Sequence, residues 1–295
     1  MTPAHVNPLV SRESIVARRP LPCYFALAFG ISWLGAFALV APNIVRRQAV
    51  PKFAGLMMFP IMLLGPSLAG ILMTLKLDGR RGLRDLFARI TLVVVPRAWY
   101  AALLIPPALI LLVLLVLRIF VSPVFSPNRF FMGASFGMVA GLFEEIGWMG
   151  FAFPRMSRQP GALAASLGLG IVWAVWHLPV IDYLGTATPH GAYWFRYFLA
   201  FALAMTAMRV LIAWIYTNTG SVAMCQLMHA SSTGALVVFS PAHITAAEEA
   251  FWYAAYGIIL WIVVAIVVGQ SGTALRLVRA TPADGRIGGK SPAKI

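Results

Sequence analysis

The sequence predicts an all-α fold, a polytopic transmembrane helical bundle of about eight spans. Of its 295 residues, 60% are hydrophobic and only 11% are charged, and the mean hydropathy is +0.84. Soluble domains carry roughly 25% charged residues, so this composition is typical of a membrane protein. Runs of about 20 mostly apolar residues, the length that crosses a bilayer, recur along the chain.

The predicted spans follow one another with short connections, which leaves no room for a sizeable soluble domain. They cover residues 22–42, 53–75, 99–121, 130–152, 162–182, 193–216, 219–239 and 250–270. Residues 22–272 are therefore one bundle, with the chemistry-bearing motifs between 130 and 239. Residues 1–21 are a cytoplasmic N-terminal segment. The Gly/Pro/Lys-rich residues 273–295 are expected to form a disordered basic cytoplasmic tail. The first span has no small-residue cleavage site after it and is predicted to be a signal anchor.

The formal net charge of +14 is explained by topology. With the N-terminus inside, 16 of the 23 basic residues fall on the cytoplasmic side and five on the opposite side. Basic residues accumulate on the cytoplasmic side because they resist translocation. Both termini are then cytoplasmic, and the expected location is the inner (plasma) membrane, in contact with anionic lipid. No nucleic-acid partner is predicted.

Few ionisable residues lie inside the predicted spans, and each needs an explanation. They are Arg118, Glu144, Glu145, His177, Asp182, Arg209 and His229. A charge at the centre of a membrane helix costs about 2.5–3.5 kcal/mol on insertion scales. Arg118 and Asp182 lie near span ends, where a side chain can reach the interface. The other five require a partner or a function.

The adjacent acids Glu144 and Glu145 point about 100° apart on a helix. We therefore expect one of them to face a reaction centre and the other to be held by a partner. His177 shares a helix face with Trp173, four residues earlier, and His229 has Thr233 one turn later. A lone histidine in a membrane helix is more often a helix–helix hydrogen bond than a catalyst, and the tryptophans alone indicate packing.

One carboxylate and two imidazoles on three separate spans favour the hydrolysis of a peptide bond. A buried glutamate can act as general base for water, and two histidines can orient that water or stabilise an oxyanion. This mechanism needs no cofactor. The alternative is a catalytic Zn²⁺ held by Glu144, His177 and His229 with an open fourth position, and the sequence leaves the two options open. His190, His243, Glu248 and Glu249 are expected to be solvated loop residues.

Three motifs resemble those of a known family. "EEIGWMGFAFPRM", "WAVWHLP" and "LMHASST" resemble, in this order, the patterns E-E-x-x-x-R, F-x-x-x-H and H-x-x-x-N of the CAAX prenyl protease and bacteriocin-processing (CPBP) intramembrane proteases. The resemblance implies an eight-helix bundle with a membrane-embedded cavity. It also implies that Glu144 activates water with His177 as its partner, that His229 is the second imidazole, and that Glu145 is a structural acid.

The chain departs from the family pattern at three positions. Met149 stands where the motif has an arginine, so Glu145 lacks its usual partner four residues on. Arg209, in another span, is a candidate replacement. Trp173 replaces the motif phenylalanine, which we expect to be a mild change. Thr233 replaces the motif asparagine and has one hydrogen to donate where an amide has two.

The leading hypothesis is therefore an endopeptidase that cleaves membrane-presented peptides or proteins, with prenylated or bacteriocin-like substrates among them. A non-catalytic membrane interaction or bacteriocin self-immunity protein with the same fold is the alternative, which Met149 and Thr233 favour. A proton-coupled transporter that uses Glu144 as a relay is a third alternative, which only the buried acids favour.

Overall fold

The computed structural model describes residues 15–277, and within this range the chain is helical and contains no strand. The helices are α1 (Ile15–Arg18), α2 (Pro20–Val45), α3 (Lys52–Ile90), α4 (Ala98–Ala102), α5 (Ile105–Phe120), α6 (Gly133–Gly147), α7 (Phe153–Met156), α8 (Ala162–Trp176), α9 (Trp194–Thr219), α10 (Val222–Phe239) and α11 (Ala246–Ser271). Short 3₁₀ turns lie at Pro123–Phe125, Leu178–Tyr183 and Gly191–Tyr193, and a π-helical turn joins α6 to α7 at Trp148–Ala152.

Seven of the helical stretches in residues 15–277 are long and apolar enough to cross a membrane. They are Pro20–Val45, Lys52–Ile90, Ala98–Phe120, Gly133–Met156, Gly191–Thr219, Val222–Phe239 and Ala246–Ser271. The predicted polytopic bundle is confirmed. The sidedness of the termini stays a prediction, and the expected tail lies largely outside the described residues, as does most of segment 1–21.

The predicted span 162–182 is the one that differs in the structure. Its α-helix, α8, has 15 residues and ends at Trp176, which gives about 22 Å at 1.5 Å per residue, short of a bilayer core of about 30 Å. Pro179 has no backbone N–H and disfavours the α conformation of the residue before it, so the chain continues as a 3₁₀ turn. This early end places His177 at the C-terminus of α8 rather than in mid-helix.

Close packing of α6 on α10 depends on two glycines. A Cβ at Gly141 would lie 2.8 Å from the backbone nitrogen of Ala230, and a Cβ at Gly137 would contact the backbone of Gly234. Without side chains at these positions the two helix backbones approach closely. Glu144 and Glu145, one turn beyond Gly141, are thereby brought beside α10.

The π-helical turn Trp148–Ala152 follows the two glutamates directly. Such turns interrupt regular α-helices mostly as single insertions and are frequent at functional sites. Every residue of this turn is buried. On the other side of α6, a Cβ at Gly70 of α3 would lie 2.9 Å from the Cα of Gly147, so α3 also packs closely here.

We predict that Gly141→Ala destabilises the bundle by about 1–3 kcal/mol, because the added methyl group overpacks the α6–α10 contact. Gly30→Ala is the matched control, since a Cβ at this helical glycine would meet no atom within 4 Å. It should be neutral or stabilising. Thermal unfolding of the two variants in detergent checks this. Equal effects at the two glycines would show that the α6–α10 contact is not tight.

Candidate intramembrane active site

Glu144 and Glu145 are both completely buried at the end of α6. Their side chains diverge toward different partners, as adjacent positions on a helix require. Because an isolated buried carboxylate is costly, the contacts of each acid show how the bundle stabilises it.

Glu145 is held by two groups from other helices. Arg209 of α9 donates from Nη1 to Glu145 Oε2 at 2.7 Å, and His229 of α10 donates from Nδ1 to Glu145 Oε1 at 2.7 Å. Both partners are almost fully buried. Charge-assisted hydrogen bonds of this length are about twice as strong as neutral ones. One carboxylate therefore joins α6, α9 and α10 in the interior.

Arg209 takes the role expected of a replacement for the motif arginine. Its guanidinium reaches Glu145 from 64 positions further along the chain, while Met149 is buried in the π-helical turn. The guanidinium also lies 4.2 Å from the ring centroid of Trp173, a cation–π contact. Arg209 Nε and Nη2 have no hydrogen-bond partner within the described range.

Glu144 is held on one oxygen only. Trp173 Nε1 donates to Glu144 Oε2 at 2.6 Å and Trp148 Nε1 donates to the same oxygen at 3.1 Å. Oε1 of Glu144 is buried and has no hydrogen-bond partner among residues 15–277. One carboxylate oxygen is thus fixed by two indoles, and the other is left to accept a proton.

His177 is oriented by the backbone of its own helix. Its Nδ1 lies 2.8 Å from the carbonyl oxygen of Trp173, which can only accept, so Nδ1 carries the proton. Nε2 is then the unprotonated nitrogen of the neutral ring. His229 is oriented by Glu145 instead, since its Nδ1 donates to that carboxylate and leaves Nε2 for another group.

Trp173 lies next to all three predicted catalytic side chains. Its ring centroid is 5.5 Å from that of His177 and 5.1 Å from that of His229, and its indole nitrogen binds Glu144. Three residues that are far apart in sequence are therefore gathered around one indole. Thr233, one turn beyond His229, is half-buried and makes no hydrogen bond through its hydroxyl to residues 15–277.

The arrangement gives no support to a metal centre. In the part of the chain that the structure describes, no group of three or more His, Cys, Asp or Glu side chains could hold a metal ion. Glu144 Oε2 is already bonded to two indoles.

Sequence reasoning missed several of these contacts. The Glu144–Trp148 contact has the i, i+4 spacing of a helix face and could have been found from the sequence. The hydrogen bond between Glu145 and His229 joins residues 84 positions apart and has no local signal. Trp173 was expected to be a mild replacement, whereas its indole N–H makes a bond that phenylalanine cannot make.

The expectation that His190 and Glu249 are solvated is wrong. Glu249 lies in α11, is fully buried, and accepts the backbone N–H groups of Thr186 at 2.8 Å and Ala187 at 2.7 Å. His190 is also buried, with Nε2 3.3 Å from Glu249 Oε2. These contacts fix the connection between α8 and α9, so the two residues hold a folded loop in place.

Comparison with known proteins agrees with the motifs. Residues 107–235 match the family described as type II CAAX prenyl endopeptidase Rce1-like, and this region contains Glu144, His177 and His229. A curated relative, the CAAX prenyl protease 2 of Methanococcus maripaludis, is 30% identical over 97 residues. The aligned segment covers 31% of this chain and 35% of the relative, about a third of the relative's length. The resemblance inferred from the three motifs is confirmed.

We predict that Arg209→Met destabilises the protein by about 3–5 kcal/mol, because it leaves the buried Glu145 without its cation. The double variant Arg209→Met/Met149→Arg should recover a large part of this loss, since it restores an arginine four residues after Glu145. Thermal unfolding in detergent measures both changes. Arg118→Met, at an exposed arginine of α5, is the control and should have little effect. A harmless Arg209→Met would show that Glu145 does not need a cation.

Proposed function

We propose that this chain, whose residues 107–235 match the Rce1-like family of type II CAAX prenyl endopeptidases, is an intramembrane endopeptidase. The observation that carries the proposal is the asymmetry of Glu144. One carboxylate oxygen is fixed by two indoles, and the other is buried and unpaired in the described part of the chain. The Trp173 ring that binds Glu144 also packs against the imidazoles of His177 and His229.

The first step is attack of water on the carbonyl carbon of the scissile peptide bond. Glu144 Oε1 accepts one proton from the water as the new C–O bond forms. His177 Nε2 accepts a hydrogen bond from the other water hydrogen and so orients the oxygen lone pair. The result is a tetrahedral intermediate with a negatively charged oxygen and a protonated Glu144.

The oxyanion needs a donor in the water-poor interior. His229 can donate to the oxyanion from Nε2–H when both of its ring nitrogens carry a proton, with Nδ1–H bonded to Glu145 Oε1.

The second step is collapse of the intermediate. The C–N bond breaks, and the proton held by Glu144 goes to the leaving amine nitrogen. The products are a carboxylic acid and an amine, and Glu144 returns to its ionised form. In this mechanism two groups of residues have different roles. The residues that contact the reacting atoms are Glu144, His177 and His229. The residues that hold those three side chains in position are Glu145, Arg209 and Trp173.

The substrate is a peptide or protein presented at the membrane. The site lies among helices that span a bilayer, so a peptide that reaches it must itself be anchored in or on the membrane. Prenylated and bacteriocin-like peptides are the substrate classes that the family suggests. The proposed location of the protein is the inner (plasma) membrane. The proposed division of the chain is a cytoplasmic segment 1–21, a membrane bundle 22–272 and a cytoplasmic tail 273–295.

A specific observation favours the non-catalytic alternative. Thr233 stands where the family motif has asparagine, and its hydroxyl binds no group within residues 15–277. Loss of one oxyanion donor lowers the rate of an acyl-transfer enzyme by about 10²–10³-fold. A non-catalytic membrane interaction protein or a bacteriocin self-immunity protein could retain this helical bundle although its site lacks an oxyanion donor.

The proposal is tested by cleavage of a library of lipidated and membrane-anchored peptides in liposomes. We expect Glu144→Gln and His177→Ala each to lower cleavage by about 10²–10⁴-fold, because each removes a proton acceptor at the water. His243→Ala, at an exposed loop histidine, is the matched control and should cleave normally. A chelator should have no effect.

Cleavage that survives Glu144→Gln would contradict the mechanism. Cleavage that a chelator abolishes and Zn²⁺ restores would add a metal to the site. No cleavage of any peptide by the wild-type chain would favour the non-catalytic alternative.

Trp173→Phe should lower kcat/KM by about tenfold or more, because it removes a charge-assisted hydrogen bond to Glu144 while it keeps an aromatic ring in place. Trp252→Phe is the control, since Trp252 is equally buried and its Nε1 has no hydrogen-bond partner in residues 15–277. Kinetics with one cleaved peptide measure the difference. If the two variants lose the same activity, the indole does not position Glu144.

A further inference from the structure

A charged cavity lies apart from the candidate active site, between the end of α3, the residues around α7 and the end of α9. Its volume is 410 Å³, and none of the residues assigned to the active site lines it. The charged residues of its wall are Arg81, Arg89, Arg155, Arg158, Asp78 and Asp85, which together carry a formal charge of +2. We refer to it as the arginine cavity.

The sequence of α3 builds one wall of the arginine cavity. Gly79 has a φ of +64°, a conformation that favours glycine, and it breaks α3 just before the arginine-rich segment. Arg81, Asp85 and Arg89 are spaced four residues apart and therefore lie on one face of the helix that follows. Gly82 adds no side chain on this face, where a Cβ would meet Asp78 and lie 3.2 Å from Thr74 Cγ2.

Two of the four arginines already have partners in the protein. Arg89 donates to the Tyr216 hydroxyl at 2.8 Å and to the carbonyl oxygen of Gly150 at 3.0 Å. Arg155 pairs with Asp78 at 2.5 Å and donates to the carbonyl oxygen of Phe151 at 3.2 Å. These two side chains are the fixed part of the wall.

The other two arginines have no such partners. Arg81 and Arg158 line the same cavity, and neither makes a hydrogen bond or ion pair with the residues 15–277 that the structure describes. Both side chains are exposed, and the carboxylate of Asp85 on the same wall also has no ion pair within residues 15–277. The four arginines outnumber the two aspartates, so the cavity as a whole attracts an anion. Phosphate has oxygens for two guanidinium forks at once, which is why arginine is the usual residue for phosphate recognition.

We propose that the arginine cavity binds a phosphate ester, either the headgroup of an anionic phospholipid or a free phosphate ester. Basic cavities between membrane helices on the cytoplasmic side are typical sites for anionic headgroups. The cavity lies at the end of the bundle that carries the basic residues of segment 76–97, and the distribution of charge predicts that this end is cytoplasmic. A peptide carboxylate brings one charge and fewer acceptor oxygens, and so suits two free guanidinium groups less well.

A ligand in the arginine cavity would also stabilise the π-helical turn Trp148–Ala152 beside the candidate active site. Arg89 holds the carbonyl oxygen of Gly150, and Gly150 belongs to the π-helical turn that begins with Trp148, one of the donors to Glu144. A ligand that fixes the arginine wall would therefore stabilise that turn. The site does not depend on the proposed peptidase activity, and its test measures binding and stability.

The test uses the full chain in nanodiscs of phosphatidylcholine with and without phosphatidylglycerol. The variant Arg81→Gln/Arg158→Gln is compared with Arg80→Gln/Arg84→Gln, which removes the same charge from exposed arginines that do not line the cavity. Native mass spectrometry counts retained lipid, and thermal unfolding measures stabilisation. A second arm titrates inorganic phosphate and glycerol phosphate into the detergent-solubilised chain.

We expect the cavity variant to lose phosphate-ester affinity by at least about tenfold, since charge-assisted hydrogen bonds are lost, while the control variant binds as the wild type. Arg158→Lys, which keeps the charge and loses the fork, should fall between the two. Retention of phosphatidylglycerol alone would identify a lipid, and stabilisation by soluble phosphate alone would identify a free ester.

Three outcomes would overturn the proposal. The cavity and control variants could lose binding equally. Phosphatidylcholine could be retained as well as phosphatidylglycerol while soluble phosphate gives no stabilisation. A peptide with a free C-terminal carboxylate could stabilise the chain where no phosphate does.

Discussion

The buried contact of Glu145 with Arg209 and His229 is the interaction on which the candidate site depends. Each partner comes from a different helix, so this one carboxylate sets the relative positions of α6, α9 and α10. It also orients the imidazole of His229 and leaves its Nε2 free to act. Without the cation on Glu145, two adjacent buried acids would be too costly for the end of α6 to stay in the interior.

The second constraint is that the carboxylates of Glu144 and Glu145 are hydrogen-bonded differently. Glu145 is satisfied on both oxygens, whereas Glu144 is satisfied on one. This difference separates a structural acid from a reactive one. The family pattern places the arginine on the same helix as the acids. In this chain the arginine that binds Glu145 is Arg209 of α9, and it lies against Trp173. Trp173 and Arg209, which stand in for the motif phenylalanine and the motif arginine, are therefore in direct contact with each other.

Much of this arrangement could be predicted from the sequence, because burying charge in a membrane is costly and the few residues that do so stand out. The polytopic bundle, the five interior ionisable residues and the candidacy of Arg209 all follow from that cost. Pro179 indicates that α8 ends early. Residues 162–182 are nevertheless predicted as a full span, because hydropathy is averaged over a window and does not register a single helix-breaking residue.

Other features could not be read from the sequence because they depend on contacts between distant segments. The bond from His229 to Glu145, the role of the Trp173 indole and the burial of His190 against Glu249 appear only when the helices are placed side by side. In each case the residue type permits several partners, and the packing of the bundle selects one. The arginine cavity likewise needs the ends of α3 and α9 to be brought together.

The most direct test of the account compares Glu144→Gln with Glu145→Gln in the same preparation, with thermal stability and peptide cleavage measured for both. The account predicts that Glu144→Gln keeps its stability and loses cleavage, because only the reactive oxygen is changed. Glu145→Gln should lose stability as well as cleavage, since Arg209 and His229 then lack their anion. A stable Glu145→Gln protein, or a Glu144→Gln protein that still cleaves, would contradict the assignment of the two acids.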